Sequence, residues 1–170
     1  HGLNIVARAV SPRSTLPVLA NILVATDEGR LRLSATNLEL GITCWIGAKI
    51  EEEGSTTVPA RTFTDLVSTL PADRMDMSLN VRTQTLNVRS SSSNTDIKCI
   101  DAQEFPPIPV PDLSDALLIN ISDLKEMIQQ VVFAASSDEA RPVLTGVYLT
   151  AQDTRITLQA ADGFRLSVRH

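Results

Sequence analysis

The side chains that most often carry catalysis are thinly supplied in this chain. It has two histidines, His1 and His170, and they are its first and last residues. A triad or a general base built on imidazole needs a ring held rigidly beside a nucleophile, which a terminal residue does not offer. Cys44 and Cys99 lack metal or redox spacing and fall in alternating apolar runs, so both read as buried thiols of a cytosolic protein. Glu51, Glu52 and Glu53 are adjacent carboxylates. Three neighbours in sequence cannot converge on one cation without a folded loop, and a solvated turn is the simpler reading. There is no glycine-rich phosphate loop and no His/Cys metal constellation. The expectation is no catalytic residue, no metal and no cofactor, and therefore a scaffold or binding protein.

Composition narrows the class. Of 170 residues, 43% are hydrophobic and 21% charged, as in soluble globular domains, while aromatics are only 4%, so the core must be aliphatic. A net charge of −5 gives no general attraction to nucleic acid or to an anionic membrane. Any anion-binding surface has to be a local patch. No stretch approaches the roughly 18 apolar residues of a membrane span, and no charged-then-apolar leader opens the chain. The ends, His1-Gly2 and Arg169-His170, carry no start or stop signal and read as cuts.

The elements that must position any site follow from the apolar periods. Leu3, Val6, Ala7 and Val10 have helical spacing. Strands are expected over 18–25, 31–35 and 38–50, with a turn at Asp27–Gly29 and a charged turn at Glu51–Gly54. The third is the cleanest: Leu38, Leu40, Ile42, Cys44, Ile46, Ala48 and Ile50 alternate with polar partners, the pattern of a half-buried antiparallel strand. A short strand over 56–58 then leads through Pro59 into a helix with Phe63, Leu66, Val67 and Leu70 as its apolar stripe. Three alternating runs follow, Met75 to Val81, Leu86/Val88 and Ile97/Cys99.

A proline-rich run, FPPIPVPDLSD at 105–115, reads as an extended linker between domains. The pattern then restarts with a strand over 117–121 and a helix capped by Ser122, with Leu124, Ile128, Val131, Val132 and Ala135 on its apolar stripe. Strands over 143–150, 155–160 and from Phe164 complete it. Residues 3–37 align without a gap on 128–162, with nine of 35 positions identical, among them the PVL of 17–19 and 142–144. The unit strand–helix–strand–strand–strand is therefore expected three times, the first copy lacking its opening strand.

Four motifs, in order, identify a resemblance that runs end to end. RSTLPVLANILV…GRLRLSATNLELGI, VPARTFTDLVSTLP, the EFP at 104–106 and ADGFRL at 161–166 resemble the bacterial DNA sliding clamp family, the beta subunits of DNA polymerase III. The resemblance implies an α+β DNA-clamp fold, with antiparallel sheets outside and helices lining the interior of a ring. It implies a first domain over 1–112, the first half of a second over 113–170, and a third domain absent. A closed ring holds duplex DNA by topology and needs only phosphate-facing cations, without sequence specificity.

On that resemblance the helix-side DNA candidates are Arg8, Arg13, Arg61, Lys125 and Arg141. Residues 3–15 carry two cations and no acid, whereas 122–141 carry Lys125 and Arg141 against Asp123, Glu126, Asp138 and Glu139. Arg13 matches a DNA-contacting arginine of the family, and Asp138 departs from it by placing a carboxylate where phosphate would approach. The family's apolar peptide pocket implies a half-site of Leu144, Ala161, Gly163, Phe164, Arg165 and Leu166. Read alone, the Asp162-Gly163 pair is a plain strand-to-strand turn. The implied partners are duplex DNA, the polymerase alpha subunit, the clamp loader and repair polymerases through short linear motifs, and a second subunit in a homodimeric ring, with the strand around Ile97 near the seam. Location would be cytoplasmic and nucleoid-associated, with no membrane. The competing reading is a repeat-built protein-interaction scaffold with no nucleic-acid role.

Overall fold

The structure, a computed structural model, describes residues 1–12, 15–114 and 116–170. It divides into two compact units, His1–Val110 and Pro111–His170.

Unit 1 opens with helix α1 (Gly2–Val6), which tightens into a 3₁₀ turn over Ala7–Ala9. A second 3₁₀ turn, Pro17–Ala20, leads into strands β1 (Asn21–Asp27), β2 (Arg30–Thr36) and β3 (Gly41–Gly47). After β4 (Ser55–Pro59) come helix α2 (Ala60–Thr69) and strands β5 (Asp76–Asn80), β6 (Thr85–Arg89) and β7 (Asn94–Lys98). The antiparallel sheets run β3-β2-β1-β4 and β5-β6-β7. A single bridge between Thr57 and Ile100 stitches them, the two backbones exchanging hydrogen bonds of 3.0 and 3.1 Å. Val6 and Ala9 from the α1 region, Phe63 from α2, Val24 and Leu33 from one sheet and Val88 and Ile97 from the other close one aliphatic core. Both helices therefore cover the apolar side of the strands.

Unit 2 holds helix α3 (Ile121–Val131), a 3₁₀ turn at Val132–Ala134, another at Pro142–Leu144, and strands β8 (Tyr148–Gln152), β9 (Arg155–Ala161) and β10 (Leu166–Arg169). Its sheet runs β10-β9-β8. Its core is small: Val131, Ala134, Leu158 and Ala160, with Leu124, Met127 and Ile156 against them.

The repeat is structural as well as sequential. Shifting by 125 positions lays β2 on β9 end to end, and lays the 3₁₀ turn at Ala7–Ala9 on Val132–Ala134. The left-handed turn residues Glu28 (φ 46°) and Asp153 (φ 51°) coincide as well.

Several boundaries differ from the sequence expectation. The doubled PVL is not strand in either copy; it is a 3₁₀ turn, and the strands begin at Asn21 and Tyr148. Proline fixes φ and has no N–H for a ladder, whereas it suits the first position of a helical turn. Residues 117–121 form no strand: 116–120 are irregular and Ile121 opens α3. An isolated strand is worth nothing without a partner edge, and none pairs with this one. The N-cap of α3 is Asn120, not Ser122; its Oδ1 accepts from Ser122 N at 2.9 Å and Asp123 N at 3.4 Å. The buried stripe of that helix is Leu124, Met127, Val131 and Ala134, leaving Ile128 and Val132 exposed. Pro59 ends β4 and caps α2 instead of entering it.

The strand expected over 38–50 shortens to Gly41–Gly47, because Asn37 to Leu40 form a turn. It is an edge strand, so its apolar face is only half covered, and Cys44 is half-buried while Cys99 is buried. The proline run does not start as a free linker. Phe105 is buried, and Ile108 packs on Gly41 within unit 1.

Candidate functional site

Three of the five candidate cations, Arg8, Arg61 and Lys125, fall on helices or the helical turns that extend them. Arg8 is exposed on the 3₁₀ turn that extends α1, and no ion pair holds it among the described residues. Arg61 sits in the first turn of α2 with its side chain 96% exposed, 3.7 Å from Asp65 one helical turn on. Helix α1 packs against β2 and β3 and helix α2 against β1 and β4, and both contribute to the one core of unit 1. Lys125 is exposed on α3. Arg13 lies outside the described residues. Ile97 is buried in the core of unit 1, so it offers no side chain to a subunit seam; what β7 exposes is its open backbone edge.

Arg141 has a different setting. Its Nε donates to Asp138 Oδ2 at 3.2 Å, so the carboxylate expected to repel phosphate instead pairs with the arginine beside it. The far end of the same guanidinium reaches the 161–166 turn: a Cβ at Gly163 would stand 3.3 Å from Arg141 Nη1. Arg141 thus lies between the Pro142–Leu144 turn and the β9–β10 turn, two segments that carry all six residues expected for a peptide half-site.

That turn is closed by several bonds. Gly163 has φ +95°, a backbone that L side chains avoid. Asp162 Oδ1 accepts from Phe164 N at 2.9 Å and Arg165 N at 3.0 Å, and Asp162 N donates back to Arg165 O at 3.3 Å. These two amides, with the Arg165 guanidinium 2.9 Å from Oδ2, hold the Asp162 carboxyl below the usual carboxylate range. Arg165 also lies over the Phe133 ring, 5.7 Å from its centroid. Ser136 N donates to Leu144 O at 2.8 Å, fixing the other wall. Phe164, 95% exposed, and Leu166, 65% exposed and paired with Ala161 across the strands, stand out on this turn, while Leu144 and Ala161 are half-buried.

The arrangement can grip an apolar side chain and frame it with guanidinium groups; it has no nucleophile–base pair. Among the described residues no His/Cys/Asp/Glu group could hold a metal, and no helix is long and apolar enough to cross a membrane. Phe133 and the second role of Arg141 were not legible in sequence. Phe133 stands at the repeat position held by Arg8, and nothing local marks it as the partner of Arg165.

Comparison with known proteins decides the family. The profile of the DNA polymerase III beta subunit N-terminal domain matches residues 1–109, and that of its central domain matches 118–170. The chain belongs to the DNA polymerase III beta subunit family. It is 39% identical to the beta sliding clamp of Synechococcus elongatus over 98% of its own length, which is 44% of that relative. A beta subunit structure from Eubacterium rectale superposes with a TM-score of 0.93 at 26% identity, over 99% of this chain and 46% of that one. A sliding clamp from Bartonella birtlesii bound to griselimycin gives 0.87 at 31% identity, over 98% and 45%. The fold is thus the clamp fold expected from the motifs, and the chain spans under half the length of these beta subunits. Membership in this family disfavours the reading as an unrelated interaction scaffold.

Proposed function

We propose that this chain is part of a DNA polymerase processivity factor, a ring subunit that encircles duplex DNA and slides on it while tethering partner proteins. The observation that carries the reading is the consecutive match to two beta subunit domains in family order. In this reading residues 1–112 are the first clamp domain and 113–170 the first half of the second. The remainder of the ring lies outside these 170 residues. In this reading the chain holds and tethers, and no residue of it is assigned a catalytic role.

The chemistry agrees with topological holding. A ring that slides needs exposed cations facing phosphate and no base readout, and the exposure of Arg8 and Arg61 on helical segments of an acidic chain supports giving them that role. Arg13, Lys125 and Arg141 complete the proposed set. The 161–166 turn with Leu144 is half of a docking site for short apolar linear motifs of the polymerase alpha subunit, the clamp loader and repair polymerases. Arg165, steadied by Asp162 and Phe133, frames it. The open edge of β7 is the proposed subunit seam in a homodimeric ring. Such a protein works in the cytoplasm at the nucleoid.

The test uses the intact subunit loaded onto circular DNA. Cutting the circle should release it, whereas blocking both ends of the cut DNA should retain it. Retention on cut, unblocked DNA would contradict topological holding. Replacing Arg8 and Arg61 by alanine should weaken loading without sequence preference and flatten its salt dependence.

A further inference from the structure

The first repeat copy contains the same local construction as the 161–166 turn, 125 positions earlier. Asn37 Oδ1 accepts from Glu39 N at 3.0 Å and Leu40 N at 2.7 Å, as Asp162 accepts from Phe164 and Arg165. Leu38 has φ 76°, matching the left-handed backbone of Gly163 at 95°. Ser11 N donates to Leu19 O at 2.9 Å, as Ser136 N donates to Leu144 O at 2.8 Å. Leu38 and Leu40, at the repeat positions of Gly163 and Arg165, are exposed apolar residues on this frame, while Phe164 and Leu166 are the exposed apolar residues on the other. A leucine held in a left-handed turn, its side chain in solvent, is a costly way to make a plain connection.

The copies differ at one decisive position. Leu166 opens β10, while its counterpart opening β3 is Gly41. A Cβ at Gly41 would stand 2.7 Å from Ile108 Cγ2. A side chain at position 41 would collide with Ile108 of the connector, which would have to move. Thr36, which pairs with Gly41, is buried, whereas Ala161, its counterpart, is only half-buried. The connector that seats there, from Phe105 to Val110, carries no charge and has three prolines around Ile108. It is an extended segment with little conformational entropy to lose on docking.

We propose that the 36–41 turn is a second peptide-docking site, of the same class as the 161–166 turn, and that the chain's own connector occupies it through Ile108. The ligand class is an uncharged, proline-flanked aliphatic segment. This rests on reading the 161–166 turn as a docking site. A tethered segment acts at an effective concentration on the order of millimolar, so free peptides are kept off the first copy. Partners then meet one open site in this chain, not two.

The test uses the full 170-residue chain and a synthetic peptide of residues 105–110, FPPIPV, blocked at both ends, followed by amide resonances. The wild-type chain should show no shift at Thr36, Leu38, Leu40 or Gly41 when the peptide is added. The Ile108→Ser chain should show altered resonances at those residues, and the added peptide should restore them. Its affinity for that turn should rise at least about tenfold over wild type, as expected once the tethered competitor is gone. Unchanged amides at Leu33 and Phe63 report an intact core. Should Ile108→Ser fail to fold, Gly41→Val evicts the connector from the other side and should free the amides of Ile108 and Val110 to exchange. The proposal is overturned by 36–41 resonances indifferent to Ile108→Ser, or by connector amides indifferent to Gly41→Val. Binding of an apolar partner-motif peptide at Phe164 to Leu166 of the intact subunit tests the partner-site reading alone, and its absence there would sink that reading, while the 36–41 shifts separately decide whether the connector docks.

Discussion

At the scale of single residues, the 161–166 turn depends on one backbone conformation and one carboxylate. Gly163 at φ +95° is a position where any side chain is strained and where a Cβ would press on Arg141. Gly163→Ala should cost about 1–2 kcal/mol of local stability and dislodge the guanidinium, which amide exchange at Phe164 and Arg165 would register. Asp162 makes a second prediction. Because its folded carboxyl is held below the ordinary range, its contribution is whole above that range and is lost as pH falls through the lower folded value. The Phe164 and Arg165 amide shifts should therefore titrate below the usual aspartate range. Asp162→Asn should remove the titration yet keep the turn, since Asn37 makes the same two bonds with a neutral oxygen. A turn lost in the Asn variant would show that charge, not geometry, holds it. The turn itself was legible in the Asp-Gly pair. Phe133 was not, because a cation–π partner 32 positions away leaves no local mark.

At the scale of elements, what the sequence carries best is type, and what it carries worst is where an element starts. Period-2 runs located β2, β6 and β9, whose buried faces leave one register. The doubled PVL misled because apolar content alone reads as strand, while the ladder N–H that proline lacks decides otherwise. Residues 117–121 misled for the opposite reason: their composition suits a strand, but a strand exists only with a partner, and partners are not written locally. Cap chemistry divides the same way. Asn120 and Ser122 are both acceptable caps two residues apart, and the choice falls to Asn120 because its side chain reaches two amides. Asn120→Ala should cost about 1 kcal/mol and speed exchange of the first α3 amides about fivefold, whereas Ser122→Ala should leave them nearly unchanged. The reverse order would restore Ser122 as the cap.

At the scale of the whole molecule, the two units differ in how much core they own. Among the described residues, fourteen buried ones form the cluster of unit 1 and four that of unit 2, so the second is the one near the limit of stability. Below about 70–80 residues a single core rarely supplies more than about 3–5 kcal/mol, and unit 2 is only Pro111–His170. Leu158 is buried at its centre, and Leu→Ala at such a site costs about 2–5 kcal/mol. Leu158→Ala should therefore erase the slow-exchanging amides of β8 and β9 while those of β1 and β2 keep theirs. Phe63→Ala should cost about 3–5 kcal/mol in unit 1 and yet leave it folded, because the rest of its cluster remains. Urea unfolding followed separately at Trp45 of unit 1 and Tyr148 of unit 2 should give two midpoints, with the Tyr148 transition first. Coincident midpoints for the two probes, moved together by Leu158→Ala, would mean that the units share one cooperative transition and that the small core is not what limits the second.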